Sequence, residues 1–113
     1  MLFALDKDDG TLMAFESVAQ AAAHCKAVDV QDGYWRFFAD DGSPLDARLA
    51  PLAPDAAVPR TFTLERAMSG LWLQERLGQV ATVSGCGLET VEDVAETLKV
   101  NRAKRPGINP IRR

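Results

Sequence analysis

The stretch QDGYWRFFADDGSPLD, residues 31–46, places four aromatic residues within five positions, between two acidic turn signals. Aromatic residues favour strands, and glycine accepts the positive φ that tight turns require. We therefore predict a strand over residues 34–38, a turn at Asp41-Gly42 and a returning strand over about residues 45–49. The question is whether the aromatic residues form a binding surface or the packed centre of a small core.

Strand geometry divides these residues between two faces. Alternate side chains of a strand point to opposite sides, so Trp35 and Phe37 should share one face, while Tyr34, Arg36 and Phe38 share the other. A tryptophan in a small domain usually belongs to the core. We therefore expect the aromatic strand to be mainly buried, with Trp35 in the core and the acidic flanks on the surface.

The residues before this stretch predict a hairpin and a helix. Two short apolar runs, residues 2–5 and 12–15, flank Asp9-Gly10, which is a hairpin signal. Ser17 and Gln20 then form a capping box, which predicts the start of a helix. The sequence VDVQDG, residues 28–33, is expected to end this helix.

The second half of the chain is less regular. Residues 50–59 hold three prolines and four alanines and predict a loop. Alternation in TFTLERA predicts a further strand with Phe62 and Leu64 on one face, and residues 71–80 show helical periodicity. A single helix over residues 63–80 is the alternative. A last helix is expected from Thr90, with Asp93 as an acidic partner near its N-terminus.

Together these elements predict an α+β fold. The order is strand–strand–helix–strand–strand, then a further strand, in a small antiparallel sheet with two C-terminal helices. The length of 113 residues suggests a single domain, over residues 1–103. Residues 104–113 are expected to form a basic tail.

Charge is distributed unevenly along the chain. Residues 1–100 carry all 16 acidic residues and eight basic residues, a net charge of −8, whereas residues 101–113 carry five basic residues and no acid. An acidic body repels nucleic acid and anionic membranes and attracts basic partners. The tail has no aromatic residue to stack on a single strand, so we expect no nucleic-acid partner.

The termini and cysteines bear on the compartment. The apolar run at the N-terminus ends at Leu5 with no basic residue before it, which is too short for a signal peptide or a membrane span. We therefore expect a cytoplasmic protein without a membrane partner. Cys25 and Cys86 are the two cysteines, and we expect them to be reduced.

No arrangement of residues predicts catalysis or a cofactor. His24 and Cys25 are neighbours on a predicted helix and point about 100° apart, so they do not form a nucleophile–base pair. The acidic loops lack the EF-hand spacing, and three Cys and His residues in all are too few for structural zinc. We therefore predict no enzyme, no catalytic residue, no metal and no cofactor.

Three segments resemble small bacterial immunity proteins, which accompany polymorphic or contact-dependent toxin systems. They are MLFALDKDDGTLMAF with the Ala-rich helix after it, VDVQDGYWRFFADDGSPLDARL, and the late helix GLETVEDVAETL. The resemblance covers about half the chain and contains no catalytic motif. The Pro/Ala-rich stretch at residues 50–59 departs from it, because a longer polar strand pair would be expected there.

The resemblance implies a protein that binds one cognate toxin and blocks it, and the toxin is often a nuclease with a basic surface. The alternative is a stand-alone regulatory or structural domain with no toxin partner. Because turns join strands at the ends of a sheet, some turn carboxylates should form one negative rim for the toxin. Trp72 lies off the helical stripe, so it is a candidate exposed anchor. The expected partner-binding residues are Asp8, Asp9, Asp32, Asp40, Asp41 and Trp72.

Overall fold

The computed structural model describes residues 1–49 and 62–104. Within these ranges six strands form one sheet: β1 (Leu2–Asp6), β2 (Thr11–Phe15), β3 (Trp35–Ala39), β4 (Pro44–Leu49), β5 (Phe62–Arg66) and β6 (Thr82–Ser84). The helices in the same ranges are α1 (Val18–His24), α2 (Ala27–Gln31), a 3₁₀ helix (Leu73–Gln79) and α3 (Val91–Lys104). The predicted α+β class is confirmed. The predicted loop at residues 50–59 and the tail beyond Lys104 lie outside the described residues.

The sheet is mixed, whereas the sequence predicted an antiparallel one. Its strand order is β5-β4-β3-β1-β2-β6, and each pair is antiparallel except β2 and β6. The strand β6 was missed by the sequence analysis because its three residues carry little periodicity. It pairs in parallel with β2, with Thr11 opposite Thr82 and Met13 opposite Ser84.

The alternation predicted for the aromatic strand is confirmed. Phe37 packs in a core cluster with Leu2 and Ala4 of β1, whereas Phe38 packs in a second cluster with Phe3 and Leu5. The first cluster is covered by residues of α1 and α2, and the second by residues of the 3₁₀ helix and α3. The result is a three-layer arrangement in which the sheet has helices on both faces.

The first helix begins as predicted but is followed by a second one. Ser17 Oγ accepts a hydrogen bond from Gln20 N at 3.2 Å, and Gln20 Oε1 accepts one from Glu16 N at 3.0 Å. The second bond goes one residue further back than a standard capping box requires. Residues 28–33 were expected to end the helix, but α2 covers Ala27–Gln31 and the turn comes at Gly33, whose φ is 81°.

The structure around and after β5 decides between the two interpretations of the sequence over residues 63–80. A strand at Phe62–Arg66 excludes a single helix over residues 63–80, and the expected α-helix over residues 71–80 is a 3₁₀ helix. The last helix is capped as predicted, because Thr90 Oγ1 accepts from Asp93 N at 3.0 Å. In return Asp93 accepts hydrogen bonds from the backbone N–H groups of Glu89 and Thr90, which lower the pKa of its carboxyl.

Gly10 joins the first hairpin to the edge strand. Its φ of 74° suits the turn between β1 and β2, and its carbonyl accepts hydrogen bonds from Ala81 N at 2.8 Å and Thr82 N at 3.4 Å. A Cβ at this position would lie 2.6 Å from the Gln79 carbonyl oxygen. The glycine is therefore required both by the turn and by the close approach of the chain that leads into β6.

The aromatic residues of β3 differ in burial, which corrects one expectation. Phe37 and Phe38 are buried, but Trp35 is only partly buried and packs at the edge of the first cluster. Its ring meets the His24 ring edge-on at 6.1 Å between centroids. Trp35 is the first residue of β3, near the end of the sheet. It is more exposed than Phe37 and Phe38 because the helices cover the middle of the sheet more completely than its ends.

We expect Phe38→Ala to lower the free energy of unfolding by about 3–5 kcal/mol, as truncation of a fully buried phenylalanine does. Trp35→Ala should cost clearly less, because the indole is already partly in water. Urea denaturation of both variants measures the difference. If Trp35→Ala lowers the free energy of unfolding as much as Phe38→Ala or more, Trp35 belongs to the core and this prediction is wrong.

Candidate partner-binding surface

Three of the predicted partner-binding aspartates lie at the same end of the sheet. The register pairs Asp6 at the end of β1 with Trp35 at the start of β3, so the turn holding Asp8 and Asp9 lies beside the turn holding Asp32. Lys7 N donates a hydrogen bond to Tyr34 O at 3.1 Å and ties the two turns together. We call this region, made of Asp6, Asp8, Asp9, Asp32 and Tyr34, the acidic end.

The carboxylates of the acidic end also shape its turns. Asp6 Oδ1 accepts a hydrogen bond from Asp8 N at 2.9 Å, and Asp9 Oδ1 accepts one from Thr11 N at 3.1 Å. Asp8, Asp9 and Asp32 are all exposed to solvent. Lys7 is the basic residue between them, so the local charge is strongly negative and the side chains are free to meet a partner.

Tyr34 is the residue that the sequence analysis missed. Its backbone N–H donates to Asp29 O at 3.0 Å, and its side chain is 42% exposed at the start of β3. Tyrosine is enriched at the energetic centres of protein interfaces because it combines a large apolar ring with a polar tip. Its position in the sequence could have indicated this exposure, because Tyr34 directly follows the turn at Asp32-Gly33 and precedes the part of the strand that the helices cover.

Asp40 and Asp41 lie at the opposite end of the sheet. Four strand steps, about 13 Å, separate Trp35 from Ala39, which directly precedes them. The expectation that both are exposed is wrong for Asp41, which is fully buried at 0% exposure. Its Oδ1 accepts hydrogen bonds from Ser43 N at 3.0 Å and Ser43 Oγ at 2.7 Å.

The β3–β4 turn is a structural junction. Gln74 Nε2 donates to Asp41 O at 2.9 Å, Leu73 N donates to Gly42 O at 2.8 Å, and Asn101 Nδ2 donates to Asp40 O at 2.9 Å. The turn therefore holds the 3₁₀ helix and α3 against the sheet. Asp41 could not be placed by sequence, because a DDG turn is commonly exposed, whereas here the 3₁₀ helix and α3 fold against the turn.

Trp72 also lies near this junction, directly before Leu73. It is half-buried, and the Arg102 guanidinium lies 4.9 Å from the centroid of its ring, a distance at which a cation–π contact forms. Trp72 N donates to Glu75 Oε2 at 2.9 Å. The six predicted residues thus divide equally between the two ends of the sheet. The rim expected of some turn carboxylates is therefore limited to Asp8, Asp9 and Asp32.

The cysteines and the histidine lie in separate environments. Cys25 is fully buried, and burial together with the charges of Asp29 and Asp6 raises the pKa of its thiol to about 12. His24 is exposed, and its ring contacts the Phe15 ring at a tilt and the Trp35 ring edge-on. Cys86 is exposed in the loop after β6, and partial burial and then Glu16 raise its pKa. Within residues 1–49 and 62–104, neither thiol has a neighbouring base that would activate it.

The described residues include no group of three or more His, Cys, Asp and Glu side chains placed to hold a metal ion. In the same ranges, no helix combines the length and the apolar character needed to cross a membrane.

Comparisons with protein-family models, curated proteins and solved structures each found no match. The functional assignment therefore rests on the chemistry of this chain's own residues.

We expect Asp41→Ala to lower the free energy of unfolding by about 1–3 kcal/mol, because buried Ser43 donors lose their acceptor. Asp8→Ala is the matched control, since it removes an exposed carboxylate from the other turn and should change stability by less than about 0.5 kcal/mol. Thermal melting compares the two. Equal small effects would show that Asp41 is dispensable for the junction.

We expect iodoacetamide to alkylate Cys86 in the native protein while Cys25 stays protected. Alkylation requires the thiolate, so the rate at Cys86 should rise as the pH rises through the alkaline range, whereas Cys25 should react only after denaturation. Peptide mass spectrometry of samples taken at pH 7 and pH 9 measures both sites. Rapid native labelling of Cys25 would contradict its burial.

Proposed function

We propose that this protein binds and neutralises a cognate bacterial toxin domain by direct contact, and that it is not an enzyme. The observation that carries the proposal is the acidic end, where two adjacent turns bring four aspartates and Lys7 to the same end of the sheet as an exposed tyrosine. A surface of this kind suits a partner with a basic face, such as a nuclease whose own substrate is anionic. The resemblance of the N-terminal half to immunity proteins supports the same assignment.

The contact surface on this chain is the acidic end and not the β3–β4 junction. Asp8, Asp9 and Asp32 of the acidic end are exposed, so their carboxylates act over a distance and increase the rate at which a basic partner arrives. Tyr34 supplies the apolar area that retains the partner once it is bound. Asp40 and Asp41 serve the junction, and their backbone carbonyls are occupied by Asn101 and Gln74. We therefore remove both from the proposed contact surface.

The first test uses the gene next to this one. A large toxin gene with a variable C-terminal end immediately upstream provides the partner, and its C-terminal domain should form a complex with this protein when the two are expressed together. Co-expression should also rescue growth. An unrelated operon, or failure of the two purified proteins to bind at micromolar concentration, would favour a stand-alone domain and defeat the proposal.

For that complex, we expect the double variant Asp8→Asn, Asp9→Asn to associate several-fold more slowly at low salt and nearly normally at about 0.5 M salt, where the Debye length is about 4 Å. Asparagine at position 9 keeps the oxygen that accepts from Thr11 N, so the turn should survive. Stopped-flow kinetics across a salt series measures the effect.

The matched control is Glu92→Gln, Glu96→Gln, which makes the same change in charge on the exposed side of α3. It should leave association almost unchanged. Tyr34→Ala should instead accelerate dissociation by about tenfold or more, as loss of an interface anchor does. If the Asp8/Asp9 and Glu92/Glu96 variants slow association equally, only net charge matters and the acidic end is not the contact surface.

A further inference from the structure

A groove of about 200 Å³ opens where β3 and β4 separate. Its floor and walls come from both strands, from the segment after β5 and from the 3₁₀ helix. Apolar side chains and two arginines share the lining, which includes Arg36, Phe38, Pro44, Asp46, Leu71 and Arg76. The sequence analysis assigned no role to these residues, and none of them belongs to the acidic end.

The groove exists because the strand pairing stops early. Although both strands are described in full, the register joins β3 to β4 at only two positions, Phe37 with Leu45 and Phe38 with Pro44. Ala39 N donates to Ser43 O at 2.8 Å, so by alternation the backbone of Trp35 also faces β4. The strands have diverged before Trp35 is reached, which leaves its backbone groups at the groove.

The two arginines are the main charged groups of the groove. Among the described residues neither Arg36 nor Arg76 forms an ion pair, and the one ion pair found there joins Arg48 to Glu65. Arg76 Nε is buried, and the described part of the chain gives it no hydrogen-bond acceptor. A buried guanidinium N–H without an acceptor costs free energy, so this group is prepared to receive one. Asp46 is the single carboxylate in the lining.

The segment after β5 provides an apolar rim. Ala67 N donates to Pro44 O at 3.1 Å and fixes the start of this segment against β4. Beyond that anchor Met68 is 99% exposed and Leu71 is 45% exposed, although both are large apolar side chains. Exposed apolar residues beside a groove are typical of a surface that is covered by a partner protein.

From this geometry we propose that the groove binds an extended segment of a partner protein in which a carboxylate side chain stands next to an apolar one. The carboxylate would accept hydrogen bonds from Arg76 Nε and from Arg36, since guanidinium groups match carboxylates in shape and charge. The apolar side chain would pack on Pro44 and Leu71, and the segment's backbone would approach Trp35. This surface has the opposite charge to the acidic end, and the proposal does not depend on toxin binding.

The test uses a short peptide probe and nuclear magnetic resonance. The probe is an acetylated and amidated hexapeptide with one glutamate flanked by leucines, and its analogue has glutamine in place of glutamate. The glutamate peptide should shift the Arg76 Nε–Hε and Trp35 backbone amide signals of the full chain. The glutamine peptide should bind about tenfold more weakly, because it lacks the charge of the carboxylate.

Single substitutions distinguish binding of the peptide in the groove from non-specific electrostatic attraction to the protein. Arg36→Gln and Arg76→Gln should each weaken glutamate-peptide binding several-fold, whereas Lys99→Gln, which removes an exposed charge of α3, should not. Because Arg36 is exposed, Arg36→Gln should have the same melting temperature as the parent protein. The Arg36→Gln variant can therefore test the groove even if Arg76→Gln fails to fold. Equal affinity for both peptides, or no shift at Arg76 with millimolar peptide, overturns the proposal.

Inorganic phosphate and an oligothymidylate strand test whether the groove binds an anion other than a carboxylate of a peptide. Neither should shift the Trp35 backbone amide signal, because neither offers a peptide backbone that could pair with it, and the acidic body repels the nucleic acid. If either probe shifts the Arg76 and Trp35 signals as strongly as the glutamate peptide, the groove is an anion site and the peptide proposal is wrong.

Discussion

The fold depends on a central strand that is buried on both faces. Leu2, Phe3, Ala4 and Leu5 of β1 are all excluded from solvent, and β1 pairs with β2 on one side and β3 on the other. Since side chains alternate along a strand, these four residues belong to two separate clusters, one on each face. Both faces of the sheet must then be covered, which explains why helices lie on each side.

The two ends of this sheet have different environments. At the end that holds Asp40 and Asp41, backbone carbonyls of the turn accept hydrogen bonds from Gln74 and Asn101, so the helices of one face are fastened to the turn. At the acidic end, Asp6 and Asp9 accept hydrogen bonds from nearby backbone N–H groups, and Asp8, Asp9 and Asp32 are exposed. One end therefore stabilises the layers, while the other presents charge to solvent.

The strand β3 connects the two surfaces proposed for binding. Tyr34, directly before it, belongs to the acidic end, whereas Trp35 and Arg36 line the groove. A hairpin that separates beyond Phe37 exposes backbone and side chains that a fully paired strand would cover. The opening stretch of sequence thus has both roles: Phe37 and Phe38 form core, and the residues before them face solvent and the groove.

Local patterns in the sequence determined much of this protein. The hairpin at Asp9-Gly10, the cap at Ser17, the box formed by Thr90 and Asp93, and the division of Phe37 and Phe38 between two faces all follow from interactions between residues close in the chain. Tertiary structure alone decided the parallel pairing of β6, the burial of Asp41, the grouping of Asp8 and Asp9 with Asp32, and the placement of Arg36 and Arg76 along one groove. The physical reason is that each of these depends on contacts between residues far apart in sequence, and such contacts leave no periodic signal in either partner.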